Sequence, residues 1–262
     1  MSLSKEQVEK LAEHLENAEL EPHDVKKITD DHPDMDFNDA YDVQWAIRRR
    51  KEARGTRIVG MKMGLTSRAK MEQMGVDTAI YGFLADYFEV PDAGEIEISK
   101  LIHPKVEAEI AFVLKKPLKG PGCHVGSVLA ATDFVLPAVE VIDSRYENFR
   151  FDLTSVIADN ASSSRFVTGS QARSPGEVDL RNLGVVLEKN GQVVELGAGA
   201  AVLGNPATSI AMLANMLGER GEEIPAGSVI LSGAITAAVA VEAGDAVTMR
   251  AQGLGSLSMR FV

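Results

Sequence analysis

The segment Lys105-Val106-Glu107-Ala108-Glu109-Ile110-Ala111 places two carboxylates at i and i+2 in a run that otherwise reads as a buried strand. Side chains alternate faces along a strand. Glu107 and Glu109 therefore point one way, while Val106, Ala108 and Ile110 point the other way, into a core. Like charges side by side repel unless water screens them or a cation joins them. A third acid, Glu140, stands in a similar setting in Leu136-Pro137-Ala138-Val139-Glu140-Val141-Ile142, with apolar residues on both sides. Three carboxylates on apolar strands form an oxygen-ligand set suited to a hard divalent cation, Mg²⁺ or Mn²⁺. The ordinary explanation of a Glu-x-Glu pair on a strand is a solvated outer face. Two features weigh against it. The apolar run past Glu109, through Leu114, suggests a strand covered on both faces. Asp143, Ser144 and Arg145 follow Glu140 closely, a polar cluster of the kind that closes a site at a strand end. On spacing alone the two explanations stand level.

A lysine offers a second chemical group. Arg57-Ile58-Val59-Gly60-Met61-Lys62-Met63-Gly64-Leu65 reads as a strand with Lys62 in an apolar setting. Such a lysine either snorkels to solvent or, if buried, requires an anion from the protein or from a substrate. The small polar stretch Ile157-Ala158-Asp159-Asn160-Ala161-Ser162-Ser163-Ser164 reads as a loop. Loops of this kind are usually solvated turns, but they also supply hydroxyls and backbone amides to ligands. Cys123 and His124 are neighbours in sequence, which does not make them a catalytic pair in space.

These groups need elements to position them. Ser4-Lys5-Glu6-Gln7 has the form of a capping box, after which Val8, Leu11, Ala12, Leu15 and Ala18 follow the helical period. A second helix is predicted from near Asn38 to Gly55, with Ala40, Val43, Ala46 and Ile47 inward. Its basic run Arg48–Lys51 suits the C-terminal end of a helix dipole, and would equally suit a subunit contact. Thr66 or Ser67 is expected to cap a short helix through Met74. Strands are predicted at 94–101, with Ile96 and Ile98 on one face, and at 105–114 and 136–142, the last two separated by a helix from Val125 to Thr132. Asn190-Gly191 marks a type I′ hairpin between Val185 and Val194. Asn205-Pro206 opens a helix with Ile210, Leu213, Ala214 and Leu217 inward. Short β segments close the chain at 228–231, 246–251 and 257–262. Gly197-Ala198-Gly199 lacks the helix that a phosphate-binding loop requires. The fold class is α+β: a helical N-terminal region (1–70) followed by a β-rich catalytic domain (71–262).

The 262 residues and their 45% hydrophobic content allow a large core. A net charge of -11 argues against nucleic acid or an anionic membrane as partner. The single cysteine cannot form an intrachain disulfide, which fits a reducing compartment. The start Met-Ser-Leu-Ser-Lys-Glu has no apolar signal core. No stretch reads as a bilayer span, so a cytoplasmic location is expected.

Four segments carry a resemblance that covers nearly the whole chain: Val59–Ser67, His103–Ala111, Pro137–Arg145 and Ala158–Ser163. In this order they resemble the hydratase and decarboxylase group of the fumarylacetoacetate hydrolase superfamily. The resemblance implies a β-rich mixed-sheet roll. It also implies that Glu107, Glu109 and Glu140 bind one Mg²⁺ or Mn²⁺, and that Lys62 and Ser162 line the substrate site. Three further segments, Ser67–Val76, Ser144–Leu153 and Gly233–Val239, are similar to the decarboxylase branch. Hydratases of the group usually carry an acid just before the aromatic-glycine pair matching Tyr81-Gly82. Here that position is Ile80, and an apolar residue suits loss of a carboxylate better than addition of water.

The implied substrate is 2-oxohex-3-enedioate, a small dicarboxylic 2-oxo acid whose C1 carboxylate and C2 carbonyl suit chelation. No organic cofactor is required, because the substrate carbonyl is itself the electron sink. The group also implies a homo-oligomer and association with the pathway hydratase that takes the unstable dienol product. Three readings stand on the residues. They are a metal-dependent decarboxylase, a hydratase of 2-hydroxypentadienoate on the same scaffold, and a non-catalytic scaffold subunit. The intact Lys62 and acid triad argue against the last.

Overall fold

In a computed structural model the chain is described for residues 3–67, 71–72, 76 and 78–262. It begins with two helices. Helix α1 (Lys5–Leu20) is opened by the Ser4–Gln7 capping box, and it buries Val8, Leu11, Ala12, Leu15 and Ala18 as their period requires. Helix α2 (Phe37–Ala53) is capped by Asp36 and buries Ala40, Val43, Ala46 and Ile47. The basic run of α2 is spent inside the molecule. Lys51 is fully buried with its Nζ 2.7 Å from Glu19 Oε2, and Arg50 and Arg54 both reach the buried Glu16. These acids lie on α1, so opposite charges lock the two helices together where the helix-dipole reading saw only a local effect.

Beyond the helices the chain forms two mixed sheets. The larger takes in β1 (Ile58–Gly64), β2 (Ile80–Ala85), β3 (Glu89–Val90), β5 (Pro104–Leu114), β6 (Thr132–Asp143), β7 (Ser163–Thr168) and β10 (Val229–Leu231). Their spatial order is β2-β1-β10-β5-β6-β7-β3, and the short β11 (Val239–Ala240) pairs with β5 beside this path. Pairing is antiparallel except for β1 with β10 and β3 with β7. The smaller sheet has the order β4-β13-β12-β8-β9, from β4 (Gly94–Ile96), β8 (Gly184–Lys189), β9 (Gln192–Ala198), β12 (Ala246–Ala251) and β13 (Gly255–Phe261). The β8–β9 hairpin turns at Asn190-Gly191, both at positive φ.

Three shorter helices complete the fold. Helix α3 (Val125–Ala131) is capped by His124, whose Nδ1 accepts from the Ser127 N–H. Helix α4 (Leu153–Ala158) leads into the loop before β7. Helix α5 (Pro206–Glu219), capped by Asn205, buries Ile210, Leu213, Ala214 and Leu217. Together with the turn before it, Gly199–Glu219 spans 21 residues at mean hydropathy 1.2, long and apolar enough by composition to cross a membrane. Half of that stretch is buried inside the protein, which makes it a core helix.

Two sequence expectations need correction. The strand predicted over 94–101 stops at Ile96, and Ile98–Lys100 form a turn of 3₁₀ helix instead. The stretch read as a loop over 157–164 begins inside helix α4, at Ile157 and Ala158, its last two serines already belong to β7, and all of it is buried. The short helix expected through Met74 falls on a segment largely outside the described residues.

The large sheet has two unlike faces. Val106, Ala108, Ile110 and Phe112 of β5 are fully buried in the main hydrophobic core. The opposite face holds a smaller apolar cluster of Leu84, Ala111, Ala138, Phe166 and Leu231. The three acids share that second face.

Candidate active site

Antiparallel pairing of β5 with β6 sets Glu107 directly opposite Glu140, and Glu109 opposite Ala138. Residues directly opposite on neighbouring strands project on one side of the sheet. All three carboxylates therefore converge, each offering an oxygen within 4.8 Å of the others. Glu109 and Glu140 are fully buried and Glu107 nearly so. The solvated-face explanation is thus excluded, because these acids have little or no contact with water.

Lys62 reaches the same point from β1. Its Nζ lies 3.1 Å from Glu140 Oε2 and donates to Ala161 O at 3.0 Å. The lysine is 3% exposed, so it does not snorkel. Burial works against the ammonium, but Glu140, Glu109 and Glu107 more than offset it and raise the Lys62 pKa above the ordinary lysine value. Burial also pushes the Glu109 carboxyl well above the usual carboxylate range. Glu140 and Glu107 add to that rise, and Lys62 and the Gly233 N–H oppose it. Glu140 is raised by burial too, with Lys62 opposing. Burial among like charges thus favours the protonated form of Glu109 and Glu140, and the neighbouring acids favour the charged form of Lys62.

The hydrogen bonding of the acids leaves oxygens free to ligate a cation. Glu109 Oε2 accepts from the Gly233 N–H at 2.7 Å, but Glu109 Oε1 and Glu140 Oε1 are buried without a hydrogen-bond partner among the described residues. Buried carboxylate oxygens left unpaired are costly. A divalent ion bound by the three acids removes that cost and matches the hard-oxygen donor set. The residues present thus fit the group. Gly233 can aim its N–H at Glu109 because its φ is +99°, a conformation that favours glycine, and a Cβ there would lie 2.2 Å from Thr66 Oγ1.

Beside Lys62 on β1 stands a glycine, Gly64. Gly64 pairs with Ile80, and Lys62 pairs with Gly82, across β1 and β2. A Cβ on Gly64 would stand 3.1 Å from Ile80 Cγ1 and 3.6 Å from Lys62 Nζ. Ile80 and the ammonium therefore both border the gap that the absent Gly64 side chain leaves, the apolar residue on one side of it.

The fourth side is the 159–163 loop. Asn160, Ala161 and Ser162 are three successive non-glycine residues at positive φ, +50°, +51° and +56°. Each such residue costs on the order of 1 kcal/mol, so the surroundings must hold them there. Arg145 does much of this. Its Nε donates to Asp159 Oδ1, its Nη2 to Asp159 O, and its Nη1 to Ser163 O at 3.1 Å and to Asp143 O at 2.7 Å. The Ser162 and Ser163 hydroxyls are buried and have no hydrogen-bond partner among the described residues. Helix α2 braces the same region through Gln44, whose Nε2 donates to Tyr81 O at 2.9 Å and Ile157 O at 2.8 Å.

The profile described as fumarylacetoacetate (FAA) hydrolase C-terminal matches residues 83–262. The chain belongs to the fumarylacetoacetate hydrolase family. Within this family it is 70% identical to the 4-oxalocrotonate decarboxylase of Pseudomonas sp. (strain CF600), covering 100% of this chain and 99% of that one. It is 39% identical to the 2-hydroxyhexa-2,4-dienoate hydratase of Comamonas testosteroni, covering 98% of each. Among solved structures, the 4-oxalocrotonate decarboxylase from Pseudomonas putida G7, complexed with magnesium and adipate, matches at TM-score 0.98 and 69% identity. That match covers 100% of this chain and 99% of the other.

Sequence reasoning named Glu107, Glu109, Glu140, Lys62, Ile80 and Ser162. The structure brings the three acids and Lys62 together, sets Ile80 beside Lys62, and places Ser162 next to the Ala161 carbonyl that Lys62 touches. It adds Asn160, Gly233 and the Arg145–Asp159 pair to the residues around this cluster. For Asn160 the available signal was weak, namely a residue that tolerates left-handed backbone inside a stretch of small residues.

Proposed function

We propose that the chain is a divalent-metal-dependent decarboxylase that converts 4-oxalocrotonate (2-oxohex-3-enedioate) to 2-hydroxypenta-2,4-dienoate and CO₂. One observation carries this reading. A buried three-carboxylate cluster faces a buried ammonium and an apolar wall, in a chain 70% identical over its length to a 4-oxalocrotonate decarboxylase. Glu107, Glu109 and Glu140 would hold Mg²⁺ or Mn²⁺, and the bound ion supplies Lewis acidity toward the 2-oxo acid end of the substrate.

The chain's own residues do the rest. When the C5–C6 bond breaks, its electron pair forms C4=C5. The C3=C4 pair becomes C2=C3, and the carbonyl pair moves onto the C2 oxygen. Lys62 carries the positive charge that offsets this developing oxyanion, and it can deliver a proton to it. Ile80 keeps the gap beside Lys62 apolar, so that water is excluded from a position where hydration would require it. The Ser162 hydroxyl, buried and unpartnered, is available to a substrate oxygen.

The substrate as a small acid is the part of the partner reading that the similarity to known decarboxylases supports. Homo-oligomerisation, association with the pathway hydratase and a cytoplasmic location belong to the same proposal and rest on the family resemblance. The test is an assay of purified protein with 2-oxohex-3-enedioate and Mg²⁺. Release of one CO₂ per dienol formed is the expected outcome. Water uptake without CO₂ would replace the reading with the hydratase one.

A further inference from the structure

We propose that Asn160 is a positioning residue for Lys62, its carboxamide pinning the loop whose next carbonyl holds the ammonium. The inference deepens the decarboxylase reading and rests on it.

β2 is an edge strand of the large sheet, so the side of it away from β1 has no strand to pair with. The Asn160 side chain fills that role. Its Oδ1 accepts from the Phe83 N–H at 2.8 Å, and its Nδ2 donates to Phe83 O at 3.0 Å. One carboxamide thus satisfies both backbone groups of one edge residue, as a partner strand would. The approach is close enough to require glycine at the neighbouring position. A Cβ on Gly82 would lie 2.6 Å from Asn160 O and 2.8 Å from Asn160 Oδ1. Gly82 is in turn the register partner of Lys62 on β1. Docking at Phe83 therefore delivers the following carbonyl, Ala161 O, to Lys62 Nζ at 3.0 Å.

Arg145 anchors the loop at Asp159 and again at Ser163. Between those anchors lie three residues in the left-handed region, which such residues leave readily unless held. Among the described residues, Asn160 is the one whose side chain ties the start of this run to the strand beside Lys62. Ala161 O is a neutral acceptor, so its hold on Lys62 does not depend on the charge state of the acids. Among the described residues, the hydrogen bonds of the Asn160 side chain go to the Phe83 backbone and not to the acids, which separates it from the catalytic groups.

An alternative is that Asn160 merely completes an edge strand and contributes stability. A double-mutant cycle with Lys62 separates the two, because a residue that acts through Lys62 has nothing to act on once the ammonium is gone. The experiment uses the full chain loaded with Mg²⁺, with wild type, Asn160→Gly, Lys62→Met and the double variant. Glycine tolerates the positive φ, so the change removes the docking contact and not the backbone conformation. The expected result is a loss of about thirtyfold or more in kcat for Asn160→Gly, with KM and the calorimetric Mg²⁺ affinity each within about threefold of wild type. In the Lys62→Met background the same substitution should change kcat by less than about threefold.

An unchanged kcat for Asn160→Gly overturns the inference, as does an equal further loss in the Lys62→Met background. If Asn160→Gly fails to fold, Asn160→Asp carries the same cycle. It keeps the acceptor for the Phe83 N–H but sets a second oxygen against Phe83 O. Wild-type protein that releases no CO₂ fails the decarboxylase reading separately. The cycle is then scored on water addition to 2-hydroxypentadienoate, with the same two outcomes deciding.

Discussion

Replacing Lys62 by methionine removes the ammonium and keeps most of the stem, and the structure predicts that its two consequences run in opposite directions. Lys62 Nζ sits 3.1 Å from Glu140 Oε2. At an effective dielectric near 20, that separation corresponds to a gross attraction of ~5 kcal/mol. Much of it compensates for taking both charges out of water, so the net value of the pair is smaller. A divalent cation entering the triad must settle next to this positive charge. Loss of the lysine should therefore strengthen Mg²⁺ binding, by roughly tenfold to a hundredfold, or about 1.4–2.7 kcal/mol once the gross figure is discounted for relaxation. Turnover should fall instead. Removing one preorganised donor to a developing oxyanion costs roughly a hundredfold to a thousandfold in kcat. The assay pairs CO₂ release with calorimetric titration of metal-free protein with Mg²⁺. Turnover near the wild-type level would refute the assignment of Lys62. Weaker Mg²⁺ binding in the variant would refute the electrostatic argument, because it would mean that the lysine supports the ligands rather than competing with the ion.

The remaining predictions concern the acids and the apolar wall. Chelation should abolish activity and Mg²⁺ or Mn²⁺ should restore it, while Glu107→Gln, Glu109→Gln or Glu140→Gln should each weaken metal binding by at least about tenfold; full activity in a metal-free preparation would remove the metal from the mechanism. In the metal-free fold burial holds Glu109 above the ordinary carboxylate range, and a carboxyl raised on folding stabilises the fold at low pH and loses that contribution as pH climbs through the folded pKa. The thermal stability of metal-free wild type relative to Glu109→Gln should thus decline as pH rises above the ordinary carboxylate range, and Mg²⁺ should raise the wild-type Tm more at the higher pH. A relative Tm that rises instead would contradict the sign. Ile80→Asp should weaken decarboxylation, since a charge ~4–6 Å from a substrate carboxylate shifts energies by a few kcal/mol at an effective dielectric near 20. It should not create a good hydratase, because water also needs positioning. Both reactions are assayed on wild type and variant, and efficient hydration by the wild type would overturn the decarboxylase reading while leaving the metal site standing.

Local pattern alone determined most of the elements. The Ser4–Gln7 capping box, the Asn190-Gly191 turn and the Asn205-Pro206 helix start are decided by the conformations that a few adjacent residues favour. Strand alternation likewise put Glu107 and Glu109 on one face without reference to the rest of the chain. It could not say whether that face meets water, and the spacing argument stood level on the point. Strand register decided it, by placing Glu140 opposite Glu107 and bringing Lys62 in from β1. Register depends on pairings between strands tens of residues apart, and no local window contains it. The same holds for the basic run of α2, which looked like a helix-end effect and proved to be the partner of Glu16 and Glu19 on α1. Ile98 failed as a strand residue because Ile98–Lys100 form a 3₁₀ turn after β4. Three consecutive left-handed residues at 160–162 are disfavoured locally, since asparagine tolerates that conformation singly but Ala161 and Ser162 do not favour it. They exist because Arg145 and the edge of β2 hold them, and only the assembled fold supplies both.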